Sequence, residues 1–294
     1  MIKRNKIKSL LLRIGAIDER NLEIFSSKTR DNDSLMVYRD RVSGVIFIDD
    51  YYIGTDVYQK STHKSSEPLP LTKNYLSYED ICDTNRRIKK YLPFIANKSI
   101  LDFGCGHGSF LKDAIKYSKS TYGIELNETS SKELKEMGIC CHHSISNISC
   151  DFDTAFMFHC LEHLPDPSLT LKQIHQKLKS KGYIIIEVPH ARDFLINNLS
   201  LQSFIDFTLW SQHLVLHTRD SLHRLLVDAG FRNITIEGIQ RYNLANHMHW
   251  LSSNQPGGNK EILSAFMTDD LCRAYHLALS KIDACDTLVA IASK

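Results

Sequence analysis

The sequence predicts an α/β chain, a doubly wound and largely parallel sheet with helices on both faces, preceded by a small strand-rich module. Three observations carry this. From residue 98 onward, short apolar runs alternate with stretches of helical period. A turn holding Gly104, Gly106 and Gly108 follows the first of those runs. The polar, proline-bearing "STHKSSEPLPLT" separates this rhythm from what precedes it. Parallel strands are buried on both faces, which is why they read as continuous apolar runs.

Each element has its own signal. "MIKRNKIKSLLLRIGAI" predicts an amphipathic helix with Ile7, Leu10, Leu11 and Ile14 on one face. Its Lys3, Arg4, Lys6 and Lys8 suit weak contact with an anionic membrane surface, but a helix docked on its own domain is the favoured expectation. "LMVYRD", "SGVIFID" and "YYIGTDVY" read as strands and turns. The front module with its linker is expected over 1–72 and the main domain over 73–294. A helix over 76–92 is expected to end by Pro93.

"SILDFG", "STYGIEL", "ICCHH", "FDTAFMF" and "GYIIIEV" then read as strands. Helices are expected over 109–118, over 128–137 closed by Gly138, and over "SLTLKQIHQKLKSKG" capped by Gly182. Residues 191–217 form a predicted helical insertion above the strand ends. "TRDSLHRLLVDAGF" follows as a helix from Thr218 to Gly230, then the strand "NITIEGI". A second insertion over 241–284 contains the turn "PGGN", and "DTLVAIAS" closes the sheet.

The charge balance, 36 basic against 34 acidic side chains for a net +2, points away from nucleic acid as a partner. No apolar run approaches the roughly 18 residues that span a bilayer. Eight cysteines without a CxxC pair fit a reducing cytoplasm, with most thiols simply buried. Neither composition nor spacing sets an oligomeric state.

The glycine turn departs from a dinucleotide fingerprint. Gly104, Gly106 and Gly108 make G-x-G-x-G, with Ser109 where a last glycine would stand. Asp102 precedes the turn, a poor neighbour for pyrophosphate and a good one for a cation. Glu125, at the end of the next strand, is placed to accept hydrogen bonds from ribose hydroxyls. The expected ligand is a nucleoside bearing an ammonium group.

"LDFGCGHGSF", "YGIEL" and "FDTAFMFHCLEHLPDP" together resemble the successive motifs of class I S-adenosylmethionine-dependent methyltransferases. The resemblance implies a Rossmann-like seven-stranded sheet and S-adenosyl-L-methionine as cofactor. It places Asp102 near the methionine ammonium, the backbone of Gly104 and Gly106 against the methionine moiety, and Glu125 on the ribose. It also places Leu126 on adenine, Ser144 and Ile145 at the adenine edge, and His159 beside the methionine part.

Later stretches, "EVPH", "LWSQHLVLHTRDSLHRLLVDAGF", "QRYNLANHMHWL" and "DTLVAIA", resemble methyltransferases of sugar and surface-glycan biosynthesis. A sugar, nucleotide-sugar or glycan acceptor methylated on oxygen is the expectation. A small phenolic or quinone acceptor, or a non-catalytic cofactor-binding scaffold, are the alternatives. "VYRDRVSGVIFIDDYYIGTDVY" resembles the front domain of relatives with a cysteine-rich zinc site, yet has no cysteine, so only its strand pattern carries over.

A sugar hydroxyl needs a base or a metal to become nucleophilic. His190 and His213 are the candidate bases, with His217 a weaker third. His159, Glu162 and His163 are spaced to share one face of a helical turn, a spacing able to hold a divalent metal. It resembles the E-x-x-E-H of magnesium-dependent quinone O-methyltransferases, with His159 in place of the first Glu. No metal is expected, and Glu162 and His163 are assigned to orienting the loop. Arg241, Tyr242, Asn246, His247, His249 and Trp250 offer a candidate sugar-binding wall.

Overall fold

Ile7, Leu10 and Leu11 are each at most 6 % exposed, and they hold the first helix, α1 (Ile7–Arg13), against the body of the protein. The computed structural model describes residues 4–60, 78–258 and 262–294; the predicted linker, Lys3 and Asn259 of the "PGGN" turn lie outside the described residues. The cations of this region are internally paired: Arg4 with Asp50, Lys6 with Asp166, Lys8 with Glu19 and Asp49, Arg13 with Asp228. Exposed pairs contribute about 0–1 kcal/mol each, so the buried apolar face, at roughly 1.5–3 kcal/mol per side chain, does most of the docking.

The front module is an antiparallel meander of β1 (Leu22–Ser26), β2 (Val37–Asp40) and β3 (Ile46–Ile48). β1 has no counterpart in the sequence reading, because none of its side chains is fully buried and Leu22, Ile24 and Phe25 keep no strict alternation. "YYIGTDVY" is not a strand. Gly54, at φ +97°, ends the extended backbone, and Asp56 lies in the first turn of α2 (Thr55–Lys60), where a carboxylate complements the helix dipole.

α3 (Tyr78–Ile95) runs past Pro93. A proline in the last turn costs one backbone hydrogen bond, while Tyr91 and Ile95, both 0 % exposed, pin that turn to the core. Next come β4 (Ser99–Phe103), α4 (Ser109–Ala114), β5 (Ser120–Ile124), α5 (Glu128–Glu136), β6 (Cys140–His142), β7 (Phe152–Phe158) and α6 (Pro167–Lys177). α6 stops five residues before Gly182, and β8 (Leu178–Pro189) begins at once. Gly182 therefore does not cap the helix. A Cβ there would stand 2.9 Å from Lys179 O and 3.2 Å from Asp153 O, so glycine allows a close backbone approach inside the strand.

The first insertion contains α7 (Gln202–Thr208) and β9 (Val215–Leu216). α8 (Arg219–Asp228) starts on Thr218 with a capping box to Ser221 and ends before Gly230 at φ +96°. β10 (Arg232–Ile239), α9 (Leu244–Ser253), α10 (Asp269–Lys281) and β11 (Thr287–Ser293) complete the order.

The main sheet has seven strands in the order β10-β11-β8-β7-β4-β5-β6. β4 to β8 are mutually parallel, and β11 is antiparallel to both neighbours. Asp102, Glu125 and His159 thus fall at or just beyond the carboxyl ends of adjacent strands, the edge where such sheets hold ligands. A second sheet, β1-β2-β3-β9, takes its fourth strand from the first insertion, so the front module is sewn to the main domain by Ile46–Leu216 and Phe47–Val215 pairing.

All eight cysteines are free. Only Cys141 and Cys285 are fully buried, whereas Cys82 and Cys140 are exposed, so most thiols are not interior as expected. Among the described residues no helix is long and apolar enough to cross a membrane.

Candidate functional site

At the end of β4, Asp102 is 3 % exposed and its Oδ1 has no hydrogen-bond partner. Burial lifts its carboxyl to about 7, with nearby Arg87 pulling down and Glu125 pushing up. The turn that follows is left-handed at Gly104, Gly106 and Gly108. At Gly104 a Cβ would lie 2.4 Å from Cys160 Sγ, which excludes any side chain. At Gly106 a Cβ would meet nothing within 4 Å, so the backbone there is open to a ligand.

Glu125 bridges the turn and β5. Its Oε2 accepts from the Gly106 N–H at 2.8 Å and its Oε1 from the Asn127 N–H at 2.7 Å. Each oxygen keeps a further lone pair for ribose hydroxyls. Leu126 is half-buried beside it. Ser144 caps the short turn Ile145–Asn147, and Ile145 is 4 % exposed. His159 sits at φ +49°, its N–H donating to Glu187 O at 2.8 Å, and burial holds its pKa well below the usual value. An unpaired buried carboxylate, an open glycine backbone and a second carboxylate with spare lone pairs fit a ligand carrying a cation and vicinal hydroxyls.

Beyond β7, Glu162 is 1 % exposed and neither carboxyl oxygen has a hydrogen-bond partner. Burial raises its carboxyl to about 8. His163 Nδ1–H donates to Gln212 O at 2.9 Å and its Nε2 lies 4.0 Å from Glu162 Oε1. His213, from the first insertion, sets its ring 5.0 Å from that of His163 at a tilt of 57° and donates Nδ1–H to Thr208 O at 3.3 Å. The segment is tied down by Leu214 N–H donating to Glu162 O at 2.8 Å. Tyr58 of α2 packs edge-on to His163, with its buried hydroxyl unpartnered. Tyr58 gives no signal in the sequence, where "YYIGTDVY" reads as extended chain.

His190 is elsewhere. Its side chain has no exposed surface, Nδ1–H donates to Cys285 O at 2.9 Å, and Nε2 lies 4.0 Å from Asp283, itself paired with Arg192 and Arg219. This imidazole is enclosed by the chain and is not brought to Glu162 and His163. His217 is likewise buried, against Ser221 Oγ at 3.0 Å. Of the candidate bases, the structure brings only His213 to Glu162 and His163.

The far wall is a buried ionic network. Arg86 and Arg87 both bind Glu187, Arg86 also binds Asp83, and Arg241 closes on Asp83 from the other side. Burial opposes ionisation of Glu187, yet Arg87 and Arg86 outweigh it and hold the group at about 2. A cavity of about 210 Å³ opens here, lined by Glu79, Asp83, Gln240, Arg241, Tyr242 and Tyr275 among others. A larger depression of about 530 Å³ lies between α1 and α8, away from the strand ends. Of the predicted sugar wall, Arg241 and Tyr242 line the cavity. Asn246, His247 and Trp250 are buried instead, Trp250 against Phe204 and Phe207 and His247 on the Tyr275 hydroxyl at 2.7 Å.

A structure from Archaeoglobus fulgidus described as a SAM-dependent methyltransferase is 21 % identical, with a TM-score of 0.51, covering 73 % of this chain and 94 % of that one. An S-adenosylmethionine-dependent methyltransferase from Mesorhizobium loti is 16 % identical (TM-score 0.46, covering 71 % and 96 %). Magnesium protoporphyrin IX methyltransferase from Synechocystis, solved with bound SAH, is 11 % identical (TM-score 0.48, covering 76 % and 90 %). No curated protein matches. A family model described as a methyltransferase domain matches residues 75–236, more than half of the sequence. The chain therefore belongs to the methyltransferase domain family, built on a Rossmann-like seven-stranded sheet.

Proposed function

We propose that the protein transfers a methyl group from S-adenosylmethionine to a hydroxyl of a sugar or glycan-linked acceptor. The observation that carries the donor side is Asp102, a buried carboxylate with an unpartnered oxygen beside an open glycine turn. When bound, S-adenosylmethionine supplies a methyl on a sulfonium leaving group. Asp102 receives the ligand's ammonium, Glu125 its ribose hydroxyls, and Leu126 with Ile145 flank its base. The polar cavity walls, Arg241, Asp83, Gln240 and Tyr242, support a hydroxyl-rich acceptor over an apolar one.

In-line displacement gains most from positioning. His213 is kept neutral at pH 7, because burial and the neighbouring His163 depress its pKa to about 3. Its Nδ1–H is committed to Thr208 O, which leaves the Nε2 lone pair for the proton of the acceptor hydroxyl.

The test is a turnover screen of the purified protein with S-adenosylmethionine against sugars, nucleotide sugars and phenols, reading S-adenosylhomocysteine. Turnover confined to sugar hydroxyls is expected. Turnover confined to phenols overturns the acceptor assignment, and tight donor binding without any turnover points to a scaffold.

A further inference from the structure

Glu162, His163 and His213 meet just beyond the end of β7. One ligand atom from each lies within 4.8 Å of the others, and among the described residues this is the one such group of His, Cys, Asp or Glu. We propose that this cluster binds a divalent first-row transition ion, of the zinc, cobalt or iron(II) type, on the acceptor side of the cleft.

The donor chemistry favours such an ion over magnesium. Both imidazoles donate their Nδ1–H to backbone carbonyls, Gln212 O and Thr208 O, which fixes the tautomer with the lone pair on Nε2. Metal-bound histidines are oriented in the same way by an acceptor on the other ring nitrogen. The third donor is a carboxylate that is 1 % exposed with both oxygens unpartnered. A buried carboxylate without hydrogen bonds is costly unless a cation meets it. Two neutral nitrogens and one oxygen make a borderline set that suits zinc or iron, whereas magnesium prefers oxygen throughout.

The geometry needs little adjustment. Ligand atoms about 2.1 Å from a tetrahedral ion stand about 3.4 Å apart, so side-chain rotations of roughly an ångström close the set. Three protein ligands leave at least one position open for an acceptor oxygen; with the ion bound, His213 Nε2 serves as a ligand, and the ion, in place of the free imidazole, would lower the pKa of the acceptor hydroxyl. His159, whose Nδ1 lies 3.5 Å from Glu162 Oε1, is not required. The set thus differs from the HCLEH spacing singled out in the sequence. Its third member comes from a segment 50 residues further on, held beside Glu162 by the Leu214 N–H···O bond.

The catalytic use of this ion rests on the proposed methyl-transfer cleft, but its binding does not. Untagged full-length protein stripped with a chelator is titrated with Co²⁺ and followed by visible absorbance, with Zn²⁺ competition and calorimetric S-adenosylmethionine binding in parallel. One Co²⁺ per chain is expected, displaced by Zn²⁺ and not by millimolar Mg²⁺. His213→Ala and Glu162→Gln should each weaken Co²⁺ binding by on the order of a hundredfold or more, given that removing even a supporting group costs 10–100-fold. Both should keep donor binding, which also reports that they fold. The exposed His223→Ala should bind Co²⁺ as wild type.

Wild-type protein that binds S-adenosylmethionine but no Co²⁺, or Co²⁺ binding unaltered in both site variants, overturns the metal site and leaves the donor assignment standing. Co²⁺ binding without donor binding overturns the donor assignment instead.

Discussion

Donor binding should tighten about fivefold between pH 6.0 and pH 7.0, because Asp102 must lose a proton to meet a cation. With its carboxyl lifted to about 7 in the unliganded protein, it is about 9 % ionised at pH 6.0 and about 50 % at pH 7.0. A bound ammonium pulls the pKa far below this range, so the free protein carries a proton that the complex lacks, and affinity rises with pH. The ligand's own α-amino group, ordinarily near 7.7–8.0, stays mostly protonated over this interval. Isothermal titration calorimetry in two buffers of different ionisation enthalpy counts the proton directly, with about 0.9 released per donor bound at pH 6.0. Asp102→Asn should bind more weakly by about 1.5–3 kcal/mol, the worth of a charged hydrogen bond, and show no pH slope from 6.0 to 7.0. A flat wild-type affinity with no proton release, or an unchanged slope in Asp102→Asn, would refute the role assigned to this carboxylate.

Other expectations follow from the same contacts. Glu125→Ala should weaken donor binding about a hundredfold, since two ribose hydrogen bonds to a charged group are lost, and wild-type affinity measured by calorimetry would remove Glu125 from the site. His213→Ala should lower kcat by about 10²–10⁴ with donor affinity unchanged, whereas His190→Ala should spare kcat and lower the melting temperature; equal kcat losses in steady-state assays would return His190 to the chemistry. Glu187→Ala leaves Arg86 and Arg87 without their buried partner and should cost about 3–5 kcal/mol in urea unfolding at pH 7, and a cost under about 1 kcal/mol would contradict the network. Because Glu187 is held at about 2 against an ordinary value near 4.3, its contribution is present above pH 4.3 and is lost as pH falls through about 2. His190 and His217, both depressed to about 4 by burial, add stability that is complete above about 6.5 and is lost as pH falls toward 4.

The main sheet was legible because buried strands such as Ile184, Ile185 and Ile186 or Leu288, Val289 and Ala290 leave apolar runs that little else produces. The proposed donor residues stand out for a related reason, since Asp102, Gly104, Gly106 and Glu125 lie within 24 consecutive residues at strand ends. β1 escaped because none of its side chains is fully buried, and β9 because two residues carry no period. The acceptor cluster escaped on different grounds. "HCLEH" displays Glu162 and His163 as a local pair and suggests His159 as their companion, whereas the fold supplies His213 through tertiary hydrogen bonds that no local spacing encodes. His190 shows the converse, since its place after β8 is at the sheet's ligand edge but Asp283 and Cys285, the latter 95 residues on, close over it.

β9 lies two residues beyond His213 and pairs with β3 of the front module. The register of that short pairing therefore gauges where His213 stands relative to Glu162. The seven-stranded sheet and its glycine turn draw their strands from residues 99 onward, whereas the segment that carries His213 is held by a strand from the first fifty residues pairing with one beyond residue 210. Donor-side residues and the acceptor cluster thus depend on different parts of the chain, the first on the strand ends of the main sheet and the second also on the β3–β9 seam.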